Sequence, residues 1–213
     1  MAAAALLSGI SPAHAGKPAH VNYPSPGVVT PFVCIQDDNV TGSATIANSN
    51  YGGRRVPFIT ATLDDTDFSK PANNSASGAI VDGLDGIPFT SFSVDVLNSS
   101  LPIALKRVRV KFFGNASDSS FISENLNLSD ATQTAGSGNM IRQGPPSNYT
   151  RFTFTSDQLG TNFAQINHVY IELRPNKNNT DLGPLTFGFV LVNNNFSFRP
   201  NISFRLTGCP QEL

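Results

Sequence analysis

Val108, Val110 and Phe112 alternate with Arg107, Arg109 and Lys111. A period of two puts every second side chain on one face of an extended strand, whereas a helix repeats its apolar stripe every three to four residues. The segment therefore reads as a strand with one buried and one wet face. The same pattern runs through most of the chain. Phe92, Val94 and Val96 alternate with Ser93, Asp95 and Leu97. Phe152 and Phe154 alternate with Thr153 and Thr155, and Val169, Ile171 and Leu173 with Tyr170 and Glu172. Leu185, Phe187, Phe189 and Leu191 form one face of a longer strand. Weaker runs lie at 32–36, 43–47 and 56–63, the last with Pro57 at a strand start or sheet edge. Leu126 and Leu128 suggest a short strand, and Phe196, Phe198, Ile202, Phe204 and Leu206 one or two more around Pro200. The only predicted helix is a single turn at 156–159, which Ser156 would cap.

About ten short strands separated by Gly, Pro and Asn loops predict an all-β antiparallel β-sandwich in one domain over residues 32–213. No strand alternates with a long helical segment, which excludes an α/β sheet, and no fixed-period repeat supports a propeller or β-helix. Residues 16–31, with Pro18, Pro24, Pro26 and Pro31, read as an extended lead-in. Residues 1–15 (MAAAALLSGISPAHA) read as a secretory signal peptide, with a small-x-small pattern at Ala13-His14-Ala15 but no basic n-region. No apolar run is long enough for a membrane-spanning helix. The expected location is secreted, either extracellular or at the cell surface.

The same compartment bears on cysteine and asparagine. Cys34 and Cys209 bracket the domain and either pair as a disulfide in an oxidising environment or remain two buried thiols. Asn39, Asn73, Asn98, Asn115, Asn127, Asn148, Asn178, Asn195 and Asn201 each begin an N-x-S/T acceptor. They mark a glycoprotein where the host glycosylates asparagine, and otherwise simply a polar surface.

Composition excludes several functions. A net charge of −1 leaves no electrostatic footprint for nucleic acid. Two cysteines are too few for zinc fingers or iron–sulfur sites. With His14 in the signal peptide, only His20 and His168 remain for acid–base work, and no G-x-S-x-G, H-E-x-x-H or phosphate-binding glycine loop occurs. Glycosidase chemistry needs only two carboxylates, so a glycan-active enzyme stays as a remote third reading behind a non-enzymatic role.

The succession FTSFSVDVL (89–97), ALKRVRVKFF (104–113), NYTRFTFTSDQLG (148–160), INHVYIELRPN (166–176) and GPLTFGFVLVNN (183–194) resembles secreted jelly-roll domains of the galactose-binding-like and carbohydrate-binding-module type. The resemblance covers residues 89–194 and implies a jelly-roll sandwich, a polysaccharide or glycan ligand and a calcium ion held in acidic loops. The chain departs from that type in having no Trp to stack on a sugar ring.

Candidate ligand contacts are Tyr51, Arg54, Arg55, Tyr149 and Tyr170, although Gly52-Gly53 also makes an ordinary turn of the Tyr51 loop. Candidate calcium ligands are Asp64, Asp65, Asp67, Asp82 and Asp85, which read equally as solvated turn residues. Arg107, Arg109 and Lys111 either meet an acidic polysaccharide or form the wet face of an outer strand. The sequence supports a non-catalytic carbohydrate-binding module first. A structural or surface-interaction subunit of an envelope, matrix or filament is the alternative. It sets no oligomeric state.

Overall fold

A computed structural model describes residues 27–51, 54–72, 74–84, 87–135, 149–160, 163–175, 183–193, 198–200 and 206–207. The strands are β1 (Gly27–Cys34), β2 (Val40–Tyr51), β3 (Arg54–Asp65), β4 (Ala76–Asp82), β5 (Ile87–Pro88), β6 (Ser91–Leu97), β7 (Val108–Ala116), β8 (Phe121–Asn127), β9 (Thr132–Ala135), β10 (Tyr149–Thr155), β11 (Phe163–Leu173), β12 (Leu185–Val192), β13 (Phe198–Pro200) and β14 (Leu206–Thr207). One short helix, α1 (Leu101–Arg107), precedes β7. No helix among the described residues is long and apolar enough to cross a membrane.

The strands form two packed sheets. The first has the order β13-β1-β4-β11-β7-β8, with β14 also on β1 and β5 on β11; the second has the order β2-β3-β12-β6-β10-β9. Pairing is antiparallel except where β13 and β14 run parallel to β1. The protein is thus an all-β antiparallel sandwich. The chain crosses between sheets from β3 to β4, to β6 and to β7, and β11 and β12 then insert between β4 and β7 and between β3 and β6.

The two-residue periods carry the core as expected. Val108, Val110 and Phe112 of the first sheet face Phe92, Val94, Phe152 and Phe154 of the second, all buried. Phe112 lies at the centre, its ring centroid 5.5 Å from Phe92 and 5.4 Å from Phe154, both edge-on. Such contacts add about 0.5–1.5 kcal/mol to the burial of each ring.

The structure departs from the expected elements at several places: β4, β5 and β9 lie where no strand is expected, Leu128 sits in a short turn after β8 rather than in a strand, and four further changes follow. Residues 101–107 form α1, so the strand read over 104–113 begins at Val108 and Arg107 does not share its wet face. Pro102 opens this helix, and Ile103, Ala104 and Arg107 are its buried positions. The Arg107 guanidinium donates to the carbonyls of Arg174 at 2.9 Å and of Leu63, and lies 3.9 Å from Asp64. It ties α1 to both sheets. Secondly, β1 starts at Gly27 and contains Pro31, inside the expected lead-in. β13 pairs with β1 up to Val29–Pro200, and β14 pairs with it at Phe32–Leu206 and Val33–Thr207. Thirdly, β2 and β3 are 12 residues each and join through Gly52-Gly53 alone, since Tyr51 pairs with Arg54. Lastly, the single turn at Ser156–Leu159 forms, but Thr155 is its cap and accepts no help from Ser156; the Thr155 N–H donates to Gln158 Oε1 at 2.8 Å.

Candidate functional site

The outward face of the second sheet carries an acid and a base at its centre. Val94 and Val96 point into the core, so Asp95 between them points outward. Its register partners are Gly188 on β12 and Arg151 on β10, and Gly188 in turn faces Phe58 on β3. Arg151 grips Asp95 in a fork, with Nε to Oδ1 at 2.7 Å and Nη2 to Oδ2 at 3.0 Å. The Asp95 side chain is fully buried and that of Arg151 nearly so, although both lie on the outer side of the sheet.

Aromatic rings account for part of that cover. Tyr149 and Phe58 sit on β10 and β3, with β6 and β12 between them, yet their ring centroids are 5.1 Å apart. Strands about 4.8 Å apart allow this only if both rings lean inward across the intervening strands. Gly188 contributes no side chain at the position between Phe58 and Asp95. Burial raises the Tyr149 phenol above its ordinary value, and the Asp95 carboxylate raises it further.

Hydroxyls surround this centre. Ser43 and Thr62 share a 2.8 Å hydrogen bond, as do Ser93 and Thr153, and Thr60 and Thr186 approach to 3.4 Å. Thr45 Oγ1 donates to the Thr60 carbonyl at 3.5 Å. The face thus offers hydroxyls that both donate and accept beside the half-buried Tyr149 ring, while Phe58, at 5% exposure, and the Asp95 carboxylate lie beneath the surface.

Of the ligand contacts predicted from sequence, Tyr149 belongs to this site. Tyr51 and Arg54 end β2 and β3 in the same sheet, and Arg55 pairs with Asn50 in the backbone register. Tyr170 lies on the outer face of the other sheet. It is 5% exposed and packs against Phe113 at 4.9 Å and Phe32 at 6.3 Å, so it offers no open ring. Phe32, Cys34, Ala76, Ile80, Phe113 and Tyr170 make a second buried cluster there. His168 stacks on Phe113 at 4.5 Å. In the same face, Glu172 sits between Lys111 at 3.4 Å and Arg174 at 3.8 Å. The expected basic stripe therefore includes a lysine tied to a buried acid. Burial lowers the Arg174 guanidinium below its usual value.

The predicted calcium ligands do not converge among the described residues. Asp64 turns to Arg107. Asp65 accepts from Asn39 Nδ2 at 2.8 Å and from the Asp67 N–H at 2.9 Å. Asp67 accepts from the Ser69 hydroxyl at 2.6 Å and N–H at 3.2 Å, which hold its carboxyl below the usual range, and it pairs with Lys70 at 3.5 Å. Asp82 is exposed at the end of β4, and Asp85 lies outside the described residues. No group of three or more His, Cys, Asp or Glu among the described residues could hold a metal ion.

The sequons divide by environment. Asn39 is 5% exposed, and its amide nitrogen donates to Asp65 and to the Asp67 carbonyl. Asn98 and Asn127 are exposed, and Asn115 is half-buried beside Asn167. Asn73, Asn148, Asn178, Asn195, Asn201 and Cys209 lie outside the described residues, as do His20 and residues 1–26.

Asp95, Arg151, Phe58 and Gly188 were not singled out by sequence reasoning. One signal was available. Asp95 is the only charge in 89–97 and Arg151 the only charge in 148–156, each on the polar side of an alternating strand. No protein-family model matches the chain, and no curated protein matches it.

Proposed function

We propose that the protein is a secreted, non-catalytic binding module that takes a carbohydrate on the outward face of the second sheet. The observation that carries this reading is the hydroxyl-lined face over the buried Asp95–Arg151 fork, with the half-buried Tyr149 ring beside it, held from below by Phe58. A sugar presents several hydroxyls and an apolar C–H face at once, and such a surface answers both. The strand order also supports the jelly-roll reading. The runs β3-β12-β6-β10 and β4-β11-β7-β8 correspond to its two four-stranded sheets, and the remaining strands extend their edges. A non-enzymatic role is consistent with Asp95 and Glu172 lying on opposite outer faces, each engaged by cations, so that they do not flank one cleft. The Cys34–Cys209 disulfide belongs to the same secreted reading. β14 runs parallel to β1 with Val33 opposite Thr207, which puts the neighbour of Cys34 opposite a residue two positions before Cys209 in the sequence.

A glycan screen on residues 16–213, with calcium and with chelator, tests the proposal. Saturable binding to one glycan class, weakened at least tenfold by Tyr149→Ala in a folded protein, is the expected result. Loss of binding on chelation would show that calcium takes part in binding. Absence of binding to every glycan class would overturn the reading.

A further inference from the structure

The sheet edges differ sharply in how they are protected. The first sheet ends in the short β13 and β14 on one side and in β8 on the other, where Glu124 lies mid-strand. The second sheet ends in the four-residue β9 and in β2. β2 is 12 residues long, roughly 40 Å at the usual rise. Its sequence, VTGSATIANSNY, has no charge and no proline. Its register with β3 is unbroken from Val40–Asp65 to Tyr51–Arg54, with no bulge. Among the described residues it pairs with β3 alone, and Thr41, Thr45 and Ala47 are exposed.

Soluble β-proteins guard long edges with charges, prolines, bulges or short strands, because an open row of N–H and C=O groups pairs with any matching strand. β2 uses none of these devices. We propose that it is an interface, and that its occupant is a second copy of this chain, added edge to edge across a two-fold axis.

Three features favour a second copy over a foreign segment. A two-fold axis perpendicular to the sheet makes the pairing antiparallel, the arrangement β2 already has with β3. The partner edge then has the same length and the same lack of charge, so no like charges are apposed, whatever the register. Thr41, Ser43 and Thr45 on the outward side of this edge are hydroxyls of the kind that pair favourably across strands. Gly42 keeps β2 close to β3, since a Cβ there would come within 2.8 Å of Leu63 Cδ1 and the Thr62 carbonyl oxygen.

Sedimentation of the mature chain over a wide concentration range tests this, and its readout does not depend on glycan binding. The wild type is expected to form a dimer. Thr45→Lys with Thr41→Lys, both at exposed positions, should weaken it at least tenfold while leaving the circular dichroism of the folded chain unchanged. Ala47→Lys gives an independent variant should that pair misfold. Ser123→Lys on the β8 edge should leave the dimer intact. A wild type that stays monomeric at every concentration overturns the proposal. So does a dimer that survives the β2 lysines, or one that is lost with Ser123→Lys.

Discussion

Replacing Asp95 by alanine should be among the most damaging single changes outside the hydrophobic core. The Asp95 side chain is fully buried and that of Arg151 is 12% exposed, so the fork holds two charges already taken out of water. Removing the acid leaves the guanidinium with its desolvation cost and without its partner. Such a loss costs about 3–5 kcal/mol when the pair is buried. A domain of this size loses about 2–4 °C of melting temperature per kcal/mol, which gives a fall of about 6–20 °C. Denaturant titration of Asp95→Ala measures the loss directly. The double variant Asp95→Leu with Arg151→Leu separates the pair from its neighbours. Two apolar side chains under the Phe58 and Tyr149 rings leave no orphaned charge, so most of the stability should return. Asp95→Asn adds a second readout, since without the negative charge the Tyr149 phenol should titrate at lower pH. A loss below about 1 kcal/mol for Asp95→Ala, the value of a solvent-exposed pair, would refute the reasoning. A double variant as unstable as the single would refute it too.

Three further outcomes follow from named contacts. Gly78→Ala and Gly114→Ala would drive a Cβ onto the carbonyl oxygens of Ile171 and Gln165, and each should cost about 3 kcal/mol or more in denaturant titration. Gly160→Ala meets nothing within 4 Å, but its φ of 73° with ψ of 159° is a backbone region that almost only glycine adopts, and it should cost about 1–3 kcal/mol in strain alone. Glycopeptide mass spectrometry of protein from a glycosylating host should find Asn98 and Asn127 occupied and Asn39 bare, because the Asn39 amide is buried against Asp65 and Asp67. The raised Tyr149 value means that the folded protein holds a proton the unfolded chain has already lost. Its contribution to stability is full below the ordinary phenol value and disappears as pH climbs from there through the raised one. Tyr149→Phe should flatten that alkaline part of the stability curve.

Alternation was legible wherever a strand has the main core on one side. It identified β6, β7, β10 and β11 and the inward residues of each, because burial on one face is all the pattern encodes; in β12 the expected face of Leu185, Phe187, Phe189 and Leu191 fails at a register shift after Gly188, beyond which Val190 and Val192 join the core and Leu191 pairs with the outward Ser93. It failed at α1 for a physical reason. Seven residues make only two helical turns, too few to show a helical period, although Lys106, at the core-facing parity of Val108 and Val110, already breaks the alternation there. Alternation also assigns a side of the sheet without saying what lies beyond it. Tyr170 points away from Val169 and Ile171, as the sequence indicates, but that outward face holds a second cluster and the ring is buried. The Asp95–Arg151 fork was harder still. Its halves are 56 residues apart and meet only because β6 and β10 are neighbours with Arg151 opposite Asp95. Strand order and register come from the packing of the whole sandwich.

That placement gives the low charge content a structural meaning. Charged residues are 14% of the chain, and several of them lie on the outward faces in partly or fully buried pairs: Asp95 with Arg151 on one sheet, Glu172 with Lys111 and Arg174 on the other. Charges held in this way contribute little field at the surface. Solubility then rests on hydroxyls and amides, and these are neutral groups that do not repel a second copy. An uncharged edge such as β2 is stable against indiscriminate pairing only when it is covered. The buried pairs among the described residues lie away from β2, so the proposed partner strand is the cover that this composition leaves room for.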